Sequence, residues 1–532
     1  MYQCLNCGSG LTFDIASQRM LCDSCQSSFD PYALNADIFN GAGQSDYYNV
    51  NTFTCPHCGG EIYGTDNSAA EFCSFCGAST ILTSRLSREK RPDYIIPFKI
   101  TKEQCKESYK RFVGRSFFAP KEFKNPKYID SFRGIYMPYW AYHIEQKGPG
   151  SLKGTQIIDN SDSISRDTYK LSFNVDNYYK GLSYDASSSF YDNVSSSIAP
   201  FNVRGMHKFH PALLSGFYAD AADIPSSTYV NDAKDYCNNA TLSYLSKSYL
   251  FRNINISMPD SLLERSAIFH TNIKEINSAM YPVWFMSYRR GKRVAYAVVN
   301  GQTGKTFADF PISVAKYLLC SLFIAIPLFL LFYNFFSFSA NFTLVLTSIS
   351  ALLSSIIYAV EITQIAKKDT MADDRGHMYK QKKKAYKPLK ARKIRQKFRI
   401  GFACLYVISM IVCFGIIFGI FSSGIKIPAF IQPLIISFSL IGTIASAIAG
   451  THTPRKLKSN VKTFGFIFSI IALIVSLAIT IVNPPSILLY YAAMLISLMM
   501  VLILNLSIIF KYNELATRKL PQFDPKGGNC NV

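Results

Sequence analysis

The 532-residue chain carries 56 Lys+Arg against 35 Asp+Glu, and the excess is uneven: residues 311–532 hold 24 basic and 6 acidic residues, residues 1–310 hold 32 and 29. A nearly neutral first half excludes a chain-wide polyanion-binding surface, and basic charge beside apolar stretches marks the cytoplasmic face of a membrane instead. The length suggests roughly three or four domains, and residues 1–7 have neither the basic nor the apolar region of a signal peptide.

Two copies of one cysteine pattern open the chain. Fourteen residues separate Cys4-x2-Cys7 from Cys22-x2-Cys25, and fourteen separate Cys55-x2-Cys58 from Cys73-x2-Cys76. Each Cys-x2-Cys aims two thiolates at one metal, so the spacing predicts two closed Cys4 zinc sites, at 1–35 and 50–85, each holding one Zn2+. Gly8, Gly59 and Gly77 follow a knuckle's second cysteine, where the backbone folds under the sulfurs. The knuckle ending at Cys25 has Gln26 instead. A disulfide framework is the alternative, and a reducing cytosol disfavours it. His57, inside a knuckle, reads as a solvent-facing spacer because four thiolates already fill the shell.

Residues 93–310 read as a cytoplasmic α+β domain. Residues 93–100 form a short apolar strand, and Thr101 with Gln104 makes a capping box for a helix through Val113. On that helix Cys105, Tyr109 and Phe112 share a face, making Cys105 a core residue rather than a nucleophile. Segments 134–143 and 280–288 each place Pro two residues before Trp amid alternating aromatics. Both tryptophans are expected to anchor one core. Residues 150–200, rich in Ser, Asn, Asp and Tyr, read as surface strands and long loops, and 232–247 as an amphipathic helix. A hairpin with turns at 289–292 and 300–304 precedes the membrane. Gly301–Lys305 lacks the spacing of a phosphate loop, and His207, His210 and His270 show no paired acid motif. No nucleophile elbow, Walker loop or paired-carboxylate signature is present, so the chain is expected not to be an enzyme.

Six apolar stretches follow, at 314–336, 342–361, 400–421, 429–449, 464–482 and 487–510, each near the roughly 20 residues that cross a bilayer. Loops alternate between short, nearly uncharged ones and basic ones, the latter including 367–399 with fourteen Lys+Arg. The positive-inside rule then gives three hairpins with both termini cytoplasmic, the 511–532 tail included. The cluster from Lys380 to Arg399 suits anionic lipid headgroups. Spans almost free of ionisable residues favour an anchor over a transporter, and Gly415, Gly419, Gly442 and Ala445 suit helix packing, including homo-oligomerisation. The expected fold is thus multidomain: two small Cys4 zinc ribbons, an α+β cytoplasmic domain and an all-α six-helix transmembrane bundle spanning 312–510.

Tandem ribbons, residues 94–100, Phe117–Lys121, Tyr136–Trp140 and the Asn300–Lys305 turn together resemble bacterial TFIIB-type zinc-ribbon multi-pass membrane proteins, the YdjG-like group. The resemblance covers about residues 1–365. It implies a membrane-seated adaptor that recruits partner proteins, in an envelope-stress assembly with PspA-like or SPFH-type proteins. Four further spans set this chain apart from shorter members. The alternatives are a membrane-tethered nucleic-acid binder and a transporter with a regulatory ribbon domain. Within residues 1–80 Arg19 is the one basic residue against eight acids, a balance that repels phosphate and favours protein partners.

Overall fold

The computed structural model describes residues 2–34, 47–64, 73–79, 83–160, 163–251, 254–335, 340–371, 431–457, 459 and 461–521. The expected span at 400–421, the 380–399 cluster, Gly415 and Gly419 lie outside them.

The first ribbon is a separate three-stranded sheet of β1 (Leu11–Asp14), β2 (Arg19–Cys22) and β3 (Ser28–Phe29), with β1 antiparallel to β2 from Leu11↔Cys22 to Asp14↔Arg19. All other strands join one sheet of thirteen. They are β4 (Tyr47–Thr54), β5 (Glu61–Gly64), β6 (Thr83–Lys90), β7 (Tyr94–Ile95), β8 (Arg133–Asn160), β9 (Ser163–Asp185) and β10 (His207–Lys208). They continue with β11 (Tyr218–Ala219), β12 (Asn255–Ser257), β13 (Thr271–Arg290), β14 (Arg293–Asn300), β15 (Thr306–Ala308) and β16 (Arg518–Lys519). The main path runs β10-β7-β13-β8-β11-β5-β4-β6, with β9 and β12 on β8, and β14 to β16 on the β13 side.

The two Pro-x-Trp segments pair with each other. β8 and β13 run antiparallel, with Trp284 opposite Gly134 and Trp140 opposite Ser278. That register sets the tryptophans six residues apart along the sheet, roughly 20 Å. They therefore anchor separate cores, unlike the single core expected. Trp284 packs with Phe98 and donates its indole N–H to the Ile100 carbonyl at 2.8 Å, whereas Trp140 packs beside Tyr142 and Ile144 and donates to Ile224.

The helix α1 (Lys102–Gly114) starts at the predicted capping box: Thr101 Oγ1 accepts from the Gln104 amide while Gln104 Oε1 accepts from the Thr101 amide. Cys105 and Tyr109 are fully buried, and burial pushes the Cys105 thiol well above its ordinary value. After α2 (Pro126–Ile129), the region read as surface strands and loops is one long hairpin. There β8 and β9 pair from Tyr139/Asp185 to Asn160/Ser163. Leu152, Leu171 and Val175 face inward and polar residues outward.

Two short helices, α3 (Asp192–Ile198) and α5 (Leu262–Ile268), flank α4 (Val230–Lys247). The buried face of α4 is largely polar. Asn238 and Thr241 meet Gln146 and Thr271 in one hydrogen-bonded network, and Asp235 pairs with Arg265 at 2.7 Å with both nearly sealed from solvent. Each amide and hydroxyl of the network finds a partner, whereas the ion pair leaves Arg265 Nε without a hydrogen-bond partner among the described residues, so desolvation offsets much of its attraction.

Five described helices make up the membrane half: α6 (Val314–Phe335), α7 (Ala340–Met371), α8 (Ile431–Lys456), α9 (Gly465–Val482) and α10 (Ile487–Ala516). Four stretches, Asn341–Asp369, Ile431–Lys456, Gly465–Val482 and Ile487–Ala516, are long and apolar enough to cross a membrane. Among the described residues the six expected spans are thus four, with Val314–Pro327 a shorter apolar helix. The stretch at 400–421 lies outside the description, and α6 counts only as the shorter apolar helix. The outer faces expose Phe323, Phe438 and Leu488, each over 70% accessible, as lipid-facing helices do. Inside, Ser355 meets Ser446, Ser476 meets Ser497 and Ser354 donates to Asn505. Gly442 leaves room for Leu352.

Close approach at Gly301 yields a prediction. A Cβ there would sit 2.6 Å from the ring of Phe98, which stacks on Phe217 and abuts Trp284. Gly301→Ala is expected to cost about 1–3 kcal/mol, read as an earlier midpoint in denaturant unfolding followed by tryptophan fluorescence.

Candidate metal centres

One turn, repeated four times, builds both cysteine quartets. The amide four positions on from each knuckle's start closes it: Gly8 N–H donates to Cys4 O, Gln26 to Cys22, Gly59 to Cys55 and Gly77 to Cys73, at 2.8–3.0 Å. Each closing residue lies in the left-handed region, with φ of 73°, 58°, 71° and 70°. Gln26 therefore adopts the backbone that glycine takes elsewhere, and an L-residue does so at a cost. The next amides donate to the second sulfurs: Ser9 to Cys7, Ser27 to Cys25, Gly60 to Cys58 and Ala78 to Cys76. Each such bond favours thiolate over thiol. In the first quartet the Ser27 hydroxyl, 3.2 Å away, is the chief group holding Cys25 down to about 6.

The sulfurs converge. Cys4–Cys25 and Cys7–Cys22 are 3.4 Å apart, Cys55–Cys76 and Cys58–Cys73 are 3.7 Å apart, and within each quartet all four lie inside 4.8 Å of one another. A disulfide needs about 2.05 Å, which none approaches. Four sulfurs around a tetrahedral ion at about 2.3 Å sit roughly 3.8 Å apart, so each quartet fits one metal ion. Among the described residues no other group brings three ligand atoms together, and His207, His210 and His270 form no cluster. His57 is exposed, outside its quartet's ligand shell.

The surroundings of the two quartets differ. In the first, Cys7 and Cys25 are exposed, and Leu5 within the knuckle is 72% accessible. In the second, Cys55, Cys58, Cys73 and Cys76 are each at most 2% accessible and belong to the domain core with Phe285, Val283 and Tyr296. The second ribbon is therefore continuous with the α+β domain: β5 pairs with β11, and β4 carries β6. Tyr296 of β14 donates its hydroxyl to Phe75 O at 2.6 Å, Ser287 of β13 reaches Cys73 O, and a Cβ on Gly77 would press on Arg289. Equal spacing in sequence hides this asymmetry. The signal lay in the second knuckle, where Ser74 and Phe75 stand at the positions that Asp23 and Ser24 hold in the first ribbon.

The strand that touches the second quartet also meets the membrane half. β16, directly after α10, pairs with β14 through Arg293↔Lys519 and Val294↔Arg518. Arg518 lies 3.9 Å over the Tyr191 ring and 3.6 Å from Asp309, while Asp369 at the end of α7 lies 3.6 Å from both Arg293 and Lys519. Asn513 of α10 exchanges two hydrogen bonds with the Ile312 backbone at 2.6 and 3.0 Å. Sequence reasoning missed this junction, since two-residue pairing across more than 200 positions leaves no periodic trace.

Comparison with known proteins places this architecture near one relative. The chain is similar to a protein of Bacillus subtilis (strain 168). That protein, called uncharacterized protein YdjG, is 26% identical over 322 residues, covering 59% of this chain and 91% of its own length. The distant homology supports a YdjG-like grouping. No family model and no solved structure matches the chain.

Replacing Gln26 by Gly relieves the left-handed strain and is expected to stabilise the first ribbon by about 1 kcal/mol, seen as slower metal loss to a chelator. The quartets should also respond differently to ligand removal. Cys55→Ser leaves buried thiols uncompensated inside the core and is expected to lower the unfolding midpoint of the whole cytosolic domain. Cys7→Ser should abolish metal at the first site alone. Metal content by mass spectrometry together with thermal unfolding separates the two.

Proposed function

We propose that this protein is a non-enzymatic membrane adaptor with zinc in both quartets, whose exposed first ribbon is the docking surface for partner proteins. The observation that carries this reading is the asymmetry of the two quartets. All four cysteines of the second ribbon lie in the domain's own core, while the first, anchored to the domain through Cys4 and Cys22, leaves Cys7, Cys25 and Leu5 exposed and carries Asp14, Asp23 and Asp30 with one arginine. Its balance of charge favours basic or apolar protein surfaces over nucleic acid. All-thiolate donors at near-tetrahedral spacing favour zinc, and the TFIIB-type description of the ribbons rests on that assignment. Recruitment in an envelope-stress setting is the role that the family resemblance suggests.

The topology that goes with this reading is six crossings with both termini cytoplasmic. Pairing of β16 with β14 supports it, because strands before the first helix and after the last can join only on one side of the bilayer. That pairing favours an even number of crossings, and α6 added to the four apolar spans makes five. The apolar run at 400–421 supplies the sixth.

Crosslinking the full-length protein in native membranes, then purifying it with and without nuclease, tests the function. Nuclease-resistant capture of defined proteins that Cys7→Ser/Cys25→Ser abolishes is the expected result. Capture that disappears on nuclease treatment would replace the adaptor by a nucleic-acid binder. For topology, alkaline phosphatase fused after residue 425 should be active and fused after residue 532 inactive.

A further inference from the structure

Between the final turns of α8 and the first turns of α9 runs a groove of about 670 Å³, within the roughly 300–1,000 Å³ of ligand sites. Its lining changes character along one helix stripe. Ile444, Ile448, His452 and Arg455 of α8 follow helical spacing, so apolar gives way to cationic over roughly 16 Å. From α9, Ile467 and Ile470 extend the apolar part. Ile448 is 66% and Ile467 51% accessible, an apolar surface at home in hydrocarbon.

At the polar end Lys456 joins Arg455 and His452, with the Thr451 and Thr463 side chains between the helices. Neither helix carries an acid: residues 431–482 contain no Asp or Glu. The N-terminus of α9, whose dipole end is positive, opens beside the same residues. Cations and a helix N-terminus above an exposed apolar trough match one kind of occupant.

We propose that the α8–α9 groove binds a phospholipid with an anionic headgroup. The phosphate meets His452, Arg455, Lys456 and the first turn of α9, while an acyl chain lies along Ile444, Ile448 and Ile467. The site is distinct from the 380–399 cluster, and it rests on membrane insertion of α8 and α9 but not on protein recruitment by the ribbon.

The test uses the full chain in nanodiscs of phosphatidylcholine containing a minor fraction of phosphatidylglycerol, followed by native mass spectrometry of retained lipid. Wild type is expected to retain phosphatidylglycerol. Arg455→Gln/Lys456→Gln should weaken retention about 25-fold, at about fivefold per basic residue. Ile448→Trp, which fills the trough and keeps every charge, should abolish it. Arg455→Lys should preserve it, and Lys383→Gln/Lys384→Gln in the separate basic loop should leave it unchanged. Retention equal for both lipids would overturn the proposal, as would retention that survives Arg455→Gln/Lys456→Gln. Retention unaffected by Ile448→Trp would also overturn it, by locating the lipid on a surface charge patch. Circular dichroism and gel filtration of each variant identify misfolding. Should the double variant misfold, Arg455→Lys and Ile448→Trp decide alone. A failed ribbon pull-down leaves these results untouched.

Discussion

The buried sulfur quartet is the constraint on which the cytosolic fold is organised. Cys55, Cys58, Cys73 and Cys76 sit among Phe285, Val283 and Tyr296 with almost no access to water. Four thiolates there would be prohibitive, and four thiols would leave polarisable groups with poor partners. A dication held there would resolve the conflict in part, leaving two negative charges for the Gly60 and Ala78 amides to meet. Folding of β4 to β6 into the common sheet would then carry the metal's binding energy into the whole domain. The first quartet is coupled less fully: Cys4 and Cys22 share a core with Phe98 and Trp284, but its sheet is separate and Cys7 and Cys25 face solvent.

β14 gives that constraint a mechanical reach. It touches the second ribbon at Tyr296, forms the sheet with β13, and receives β16 from beyond the last membrane helix. The metal site and the membrane junction share one eight-residue strand. A rigid strand sitting on an apolar core fixes the orientation of the domain above the bundle, which loops alone would leave free.

Cysteine spacing, the capping box at Thr101 and the hairpin before the membrane were legible because each is a local pattern with one dominant physical cause. Apolar helices were legible for the same reason. Other features depended on distant partners. Gln26 in a glycine's backbone is set by the metal-ready turn, and the core position of the second ribbon by β11, β13 and β14, which come more than 100 residues later. Surface strands over 150–200 were legible, but not their joining into one long β8–β9 hairpin, because inward Leu152, Leu171 and Val175 are sparse among polar residues. Polar burial on α4 likewise requires Gln146 and Thr271, which the helix sequence does not contain.

The charges at the junction define orientation more than they add stability. Arg518 and Asp309, and Asp369 with Arg293 and Lys519, stand 3.6 Å apart, longer than direct charge-assisted hydrogen bonds, while Arg518, Asp309 and Asp369 are at most one-tenth accessible. Desolvating such groups offsets much of their attraction. The directional bonds lie elsewhere, in the Asn513–Ile312 pair and in the Arg293 hydrogen bonds to Thr517. Loose ion pairs around a few directional bonds reject wrong registers strongly, because any slip buries a charge without its partner. A domain held this way keeps one seating on the bundle at little cost in net energy, which is what a fixed platform beneath an exposed ribbon requires.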